Sequence, residues 1–287
     1  MSGAVRRLVL TADDFGAAPE VNAAVEIAHR EGVLTAASLM VTGPAADSAL
    51  AVARRNPALA VGLHLVLVEG FPALPASEVP DLVDRTGRFR TDLAWAGAAM
   101  FFNPAARAQL AAEIAAQFRV FAATGLTLDH VNAHKHFHLH PTIASAIVRI
   151  GARHGLAAAR VPVEPRRVLA LAEPGGRYPA DPVVDLWAAL ARRRFERAGL
   201  LTPDQVFGLA WSGAMTAERL RGLIDNLPAG LSEIYLHPAT AGGFTGAAAG
   251  YGYAEELAAL TAPGVIDAAN AGDIRRGGFV DFVGDAA

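Results

Sequence analysis

At 287 residues with 53% hydrophobic side chains, the chain can bury a large core, and its size suits one α/β domain spanning 1–287. Its 25 Lys and Arg against 28 Asp and Glu leave a formal net charge of −3, which argues against electrostatic binding to nucleic acid. With no cysteine, disulfides, thiolate metal sites and cysteine nucleophiles are excluded.

Near the start, Arg6 and Arg7 precede only Leu8-Val9-Leu10 before the acidic Asp13-Asp14, too short a run for a secretory signal. Apolar segments elsewhere are interrupted well before bilayer-spanning length, so the expected location is the cytoplasm. Arg7–Ala12 reads as a buried strand delivering Asp13 and Asp14 at its end, followed by a helix from Pro19 to Glu31 in which Val21, Ala24, Val25 and Ala28 recur at helical spacing. The alternation continues with a strand at Ala37–Val41, a helix at Ala45–Arg55 and a strand at Ala60–Val66 carrying His64. Glu69–Pro104 is rich in Pro, Gly and charge and reads as a long loop at the substrate entrance. Next come a helix at Pro104–Thr124, a strand at Leu128–Ala133, a helix at Pro141–His154 and a strand at Ala158–Val163. A loop at Glu164–Pro182, a helix at Val183–Ala198, a strand at Gln205–Leu209, a helix at Thr216–Asn226 and a strand at Glu233–Leu236 complete the pattern.

Regular alternation of strand and helix implies a parallel sheet, and the simplest assembly is an α/β fold of the (β/α) barrel type, seven- or eight-stranded and open to distortion, with long loops over its C-terminal face. Such barrels place active sites at the C-terminal ends of their strands. Asp13, Asp14, His64, His134, Arg160 and His237 all fall at or near those ends. Asp is common in turns, but two adjacent carboxylates released into one cavity can divide metal binding from proton transfer. A lone histidine such as His64 in an apolar strand is more often structural, and its place one βα unit after the Asp pair is what makes it a candidate ligand. The run His134-Lys135-His136-Phe137-His138-Leu139-His140 is the strongest local signal. In extended backbone its four imidazoles would share one face, more than one metal can use, so one or two are expected to be ligands. His136 and His138 are then substrate contacts or support, and His140, beside Pro141 at a helix start, is structural. An Asp and His donor set suits Zn²⁺ and admits Mn²⁺, Fe²⁺, Co²⁺, Ni²⁺ or Mg²⁺. A divalent metal with open positions supports hydrolysis, and His237 at the end of a further strand offers the acid that amide cleavage needs. Two histidines and a carboxylate also describe a non-haem Fe(II) oxygenase, and a noncatalytic metal-dependent glycolipid-binding protein is the third alternative.

In their order, Ala12-Asp13-Asp14-Phe15-Gly16, Gly62-Leu63-His64-Leu65, the His134–His138 cluster, Arg160-Val161-Pro162 and Tyr235-Leu236-His237-Pro238 resemble the YdjC-like (ChbG/HpnK-type) carbohydrate deacetylases over roughly Leu8–Leu260. Within the family, the stretch His130–Pro141 is most similar to the hopanoid-biosynthesis (HpnK-type) branch. The resemblance implies a metal held by Asp14, His64 and His134, with Asp13 as general base and His237 as general acid. Arg160 would orient Asp13 or touch substrate. It further implies removal of acetyl from an N-acetylglucosamine-bearing glycan or glycolipid, on that branch N-acetylglucosaminyl bacteriohopanetetrol, with soluble chitooligosaccharides as the alternative. Diacetylchitobiose-type relatives carry an Asp two residues before the ligand His, where this chain has Asn132, so an acidic partner is missing there. A lipid-linked sugar needs an apolar approach surface, for which Phe71, Trp95, Phe101-Phe102 and Leu186-Trp187 are candidates, with peripheral contact at the inner membrane surface. Homo-oligomerisation is left open.

Overall fold

The computed structural model describes residues 5–179 and 181–285, so part of the N-terminal stretch read above, Met1–Ala4, lies outside the described residues. Strand β1 (Arg6–Phe15) is followed by α1 (Pro19–Glu31), β2 (Ala36–Leu39), α2 (Ala46–Arg55) and β3 (Ala60–Leu65), within two residues of the bounds the hydrophobic periodicity predicts, except that β1 runs on through the Asp pair. Helix α1 starts at Pro19, whose fixed φ and missing N–H suit a first turn, and it buries Val21, Ala24, Val25 and Ala28.

The long entrance segment is not all loop. It contains α3 (Leu93–Phe102), started by Asp92, whose carboxylate accepts from Trp95 N. Periodicity could not find this helix because Leu93-Ala94-Trp95-Ala96-Gly97-Ala98-Ala99-Met100-Phe101-Phe102 has no polar face to set against an apolar one. Helix α4 (Pro104–Ala123) follows directly, with Asn103 capping Ala105 and Ala106, and leads to β4 (Val131–Ala133) and α5 (Pro141–Gly151). The predicted loop after Val163 likewise holds a helix, α6 (Arg166–Ala172), before α7 (Pro182–Arg197), β5 (Gln205–Phe207), α8 (Ala217–Asp225) and β6 (Gly230–Leu236). Beyond the predicted elements lie α9 (Tyr253–Thr261), α10 (Pro263–Ala269) and β7 (Ile274–Arg276).

The sheet is parallel throughout, in the order β4-β3-β2-β1-β6-β5, with β7 also on β1. Residues 158–163 do not form the predicted strand. They make isolated bridges instead, Ala159 with Val131 and Ala158 with Leu201. Backbone bonds from Arg160 N to Val131 O at 3.0 Å and from Val206 N to Val163 O at 2.9 Å nevertheless tie this segment to β4 on one side and β5 on the other, so the curled sheet closes through an irregular seventh stave. The result is a distorted (β/α) barrel.

The N-terminal end of the barrel is sealed by the end of the described chain. β7 pairs with Arg6–Leu8 at the start of β1, and Phe279 and Phe282 pack on Val9, Ala36, Ala158 and Leu231 in a core cluster of their own. The Asp129 carboxylate accepts from Phe279 N at 3.1 Å and Val280 N at 3.0 Å, while the Phe279 ring lies 4.5 Å from the His130 ring. Phe279→Ala is therefore expected to cost about 3–5 kcal/mol, seen as a lower urea midpoint. An unchanged midpoint would show that the floor is not part of the cooperative unit. Among the described residues no helix is long and apolar enough to cross a membrane.

Candidate active site

The two carboxylates reach one cavity through a bulge inside β1, where the sequence reading places a turn. Asp14 adopts φ 61°, and the register of β1 on β2 shifts between Ala12 and Phe15. Asp tolerates this left-handed conformation better than most residues, and without the bulge consecutive side chains would leave opposite faces of the strand. Asp14 then meets two histidines: its Oδ1 lies 3.3 Å from His64 Nε2 and 3.1 Å from His134 Nδ1. One donor atom from each of the three lies within 4.8 Å of the others.

The tautomer of His64 is set by its support. Asn132 Nδ2 donates to Asp13 Oδ1 at 3.1 Å and to Ser38 Oγ at 2.9 Å, which leaves Asn132 Oδ1 to accept from His64 Nδ1 at 2.7 Å. His64 Nε2 therefore carries the lone pair, and it is buried without a hydrogen-bond partner among the described residues. An unpartnered imidazole nitrogen beside an ionised carboxylate and a second imidazole fits a divalent cation. The polar chain continues downward, with Ser38 donating to His130 Nε2 at 2.9 Å and His130 Nδ1 donating to Asp129 at 2.8 Å. His130 comes this close to β3 because residue 62 is glycine: a Cβ there would lie 2.4 Å from its ring. The amide at 132 thus does structurally what an acid at that position would do, accepting from the ligand histidine, without adding a charge.

Asp13 is held apart from Asp14 by a different partner. Arg160 donates from Nη1 to Asp13 Oδ2 and from Nη2 to Oδ1, and its Nε and Nη2 also bind Glu233, at 3.0 and 2.7 Å. Thr11 Oγ donates to the same Glu233 at 2.8 Å, and the Tyr235 ring covers the guanidinium at 4.4 Å. Arg160 is fully buried, bound to Asp13 and absent from the lining of the cavity that Asp13 and Asp14 reach. Burial alone would raise the Asp13 carboxyl, but Arg160 outweighs it and holds Asp13 far below its ordinary value of 3.8. Burial also opposes ionisation of Asp14, which His134 holds well below the same value. His134, pulled down by burial, is lifted by Asp14 and Glu69 to about 9, so a cation taken up here displaces its proton.

The His run departs from the extended, one-faced arrangement. After β4 the chain turns through short 3-10 geometry, with Lys135 at φ 53° and His136 at φ 55°. His134 reaches Asp14, while His136 Nε2 is hydrogen-bonded to the Tyr235 hydroxyl at 3.0 Å. Burial and the nearby Arg160 push His136 down to about 3, which keeps it neutral. His138 is fully buried behind His136, its ring 5.7 Å away, and does not line the cavity. His140 caps α5, accepting from Thr142 N at 3.3 Å, as its place before Pro141 predicts.

A cavity of about 220 Å³ gathers Asp13, Asp14, His64, His134, His136 and His237, with Glu69, Tyr235 and Tyr251 also on its wall. His237 stands at the end of β6, its backbone N–H donating to the buried Glu256 at 2.5 Å and its ring 5.3 Å from Tyr251. Lys135 and His136 also line a second, larger cavity of about 620 Å³, an apolar groove between α3 and α7 walled by Phe101, Phe102, Phe137 and Trp187. The sequence reading missed Asn132 as a support, Glu233 and Glu256. Glu233 had a signal, since a carboxylate within the apolar run Leu231–Leu236 calls for a buried cation.

The family model described as YdjC-like protein matches residues 7–271. A carbohydrate deacetylase of Geobacillus stearothermophilus is 32% identical over 267 residues, covering 91% of both chains. A chitooligosaccharide deacetylase of Salmonella paratyphi B is 34% identical over 153 residues, 53% of this chain and 58% of that one. A solved structure from Enterococcus faecalis superposes with a TM-score of 0.75 at 23% identity, covering 98% of this chain and all of that one, and so shares the fold.

Proposed function

Because the chain belongs to the YdjC-like family, we propose that it is a carbohydrate deacetylase that hydrolyses the acetamide of an N-acetylglucosamine-bearing substrate. The observation that carries this reading is the convergence of Asp14, His64 and His134 with Asp13 and His237 on one cavity. Asp14, His64 and His134 would hold the divalent cation, Zn²⁺ before Mg²⁺, Mn²⁺, Co²⁺ or Ni²⁺ on donor type. When bound, it polarises the acetyl carbonyl and brings the pKa of the attacking water toward neutrality.

Asp13, kept ionised and fixed by Arg160 and Asn132, takes the proton of the attacking water on its carboxylate. His237, at the end of β6, delivers a proton to the departing amine. The C–N bond breaks, acetate leaves with the water oxygen, and the free amine stays on the sugar. His136, neutral and hydrogen-bonded to Tyr235, shapes the wall against which the sugar rests.

The finer substrate assignment is N-acetylglucosaminyl bacteriohopanetetrol, deacetylated in the cytoplasm as a step of hopanoid biosynthesis. The apolar groove beside the cavity supports it: a sugar seated at the Asp14 site would extend a lipid aglycone past Lys135 and His136 between Phe101, Phe137 and Trp187. A soluble chitooligosaccharide is the second reading, favoured by the Salmonella relative. Incubating the Zn²⁺-loaded protein with N-acetylglucosaminyl hopanoid, diacetylchitobiose and N-acetylglucosamine, with mass spectrometry of each product, separates them. Loss of 42 Da, one acetyl exchanged for hydrogen, is expected on the hopanoid at a rate at least about tenfold above the soluble sugars. Turnover of the soluble sugars alone would remove the lipid reading and leave the deacetylase, whereas turnover of none would remove both.

A further inference from the structure

The outer walls of the apolar groove continue onto the surface of the protein. Phe102 at the end of α3 is 78% exposed, and Val183 and Leu186 on α7 are 64% and 57% exposed. On α7, Val183, Leu186, Leu190 and Arg194 follow one another by three or four residues, which places them along one line of the helix. That line faces outward while Ala188, Ala191 and Phe195 face the core. Isolated surface apolar residues need no explanation, but two adjacent helices presenting large ones around a shared groove do.

Phe101 joins this apolar face to a basic one. On its far side lies a depression of about 720 Å³ lined by Arg107, Arg149 and Arg194, with no carboxylate in the lining. Among the described residues Arg107 and Arg149 form no ion pair, and Arg194 uses only Nη1, bound to Pro141 O and Ser145 Oγ. A chain with a net charge of −3 has here concentrated unpaired positive charge next to exposed Phe and Leu.

We infer that this face, α3 and α7 with the three arginines beside them, docks on an anionic lipid bilayer. The apolar line enters the acyl boundary and the guanidinium groups meet lipid phosphates. Charge favours lipid phosphate over a second copy of the chain, because the arginine depression has no carboxylate in its lining to pair with the same cluster on another copy. Docked this way, the groove opens directly onto the membrane. The inference does not depend on the deacetylase reading, since vesicle binding is measured without turnover.

The test is co-sedimentation of the full chain with vesicles of phosphatidylcholine alone and of equimolar phosphatidylcholine and phosphatidylglycerol. Binding to the anionic vesicles and its near absence on the neutral ones is the expected result. Each arginine near an anionic surface is worth roughly fivefold in partitioning, so the R107E/R149E double variant should weaken binding by more than about tenfold. Leu186→Asp with Leu190→Asp should abolish it, and circular dichroism melts confirm that both variants fold. Absence of binding to anionic vesicles overturns the inference. So does a wild-type dimer in sedimentation velocity that the Leu186→Asp, Leu190→Asp variant splits, which would give the face to a second copy.

Discussion

His64→Ala is expected to lower kcat/KM for deacetylation by about a thousandfold or more and to strip the protein of tightly held cation. Lewis acidity is worth several kcal/mol of transition-state stabilisation, and each 1.36 kcal/mol is about tenfold in rate. His64 is the candidate ligand whose orientation the structure determines most completely, with Nδ1 fixed on Asn132 and Nε2 left to point at Asp14. Removing Asn132 is the graded companion: Asn132→Ala leaves all three ligands but frees the His64 ring, and a 10- to 100-fold loss of cation affinity is expected. Isothermal titration with Zn²⁺ and metal analysis of the dialysed proteins read both effects. Wild-type zinc content in His64→Ala, together with unimpaired turnover, would take His64 out of the site.

The second large effect belongs to Arg160. Arg160→Met leaves Asp13 and Glu233 buried with no counter-charge, and breaking a buried ion pair in this way costs about 3–5 kcal/mol, a large part of the stability of an ordinary domain. If the loss is electrostatic, adding Glu233→Gln should restore part of it by removing one uncompensated charge; if the loss is only packing, the double variant will be no better. The pH dependence follows from the same pair. In the wild type the carboxyl of Asp13 lies below its ordinary 3.8, so the stability its ionisation contributes is complete above about pH 4 and is lost as acid carries the solution through the lowered value. Without Arg160 burial acts unopposed by the guanidinium and the carboxyl rises toward its unfolded value, so the variant, weaker at neutral pH, should lose less urea midpoint on acidification than the wild type.

The parts of the fold with a clear two- or 3.6-residue rhythm were legible in the sequence, which is why α1 is predicted to the residue and α2 and α7 nearly so, while α4 was bounded by Pro104 and Gly125. Two kinds of element were not. Helix α3 is apolar all round, and the stave at 158–163 has strand-like residues whose bonds go to the isolated partners Val131, Leu201 and Val206, so its place in the barrel is fixed by distant partners. The candidate ligands were legible as chemistry, since an adjacent Asp pair and a run of four histidines fall at strand ends of one alternating pattern. Their selection was not: extended geometry would put His134, His136 and His138 together, and the left-handed backbone at Lys135 and His136 sends them to three different surroundings. Asn132 was visible only as a departure from the family pattern, because an amide announces no charge even when it fixes a tautomer.

The placement of β1 has a consequence for how the chain is made. Its residue Arg6 pairs with Gly230 in β6 and Ile274 in β7, so β1 waits for two strands made long after it before its edges are covered. On the ribosome β1 can join β2 early, through Thr11 and Ala12, but its other side stays an open, apolar edge during most of translation. Contacts of such sequence separation slow folding, and nascent chains halted before Gly230 should be the ones that chaperones bind and that aggregate, while those extended past Arg276 should resist protease.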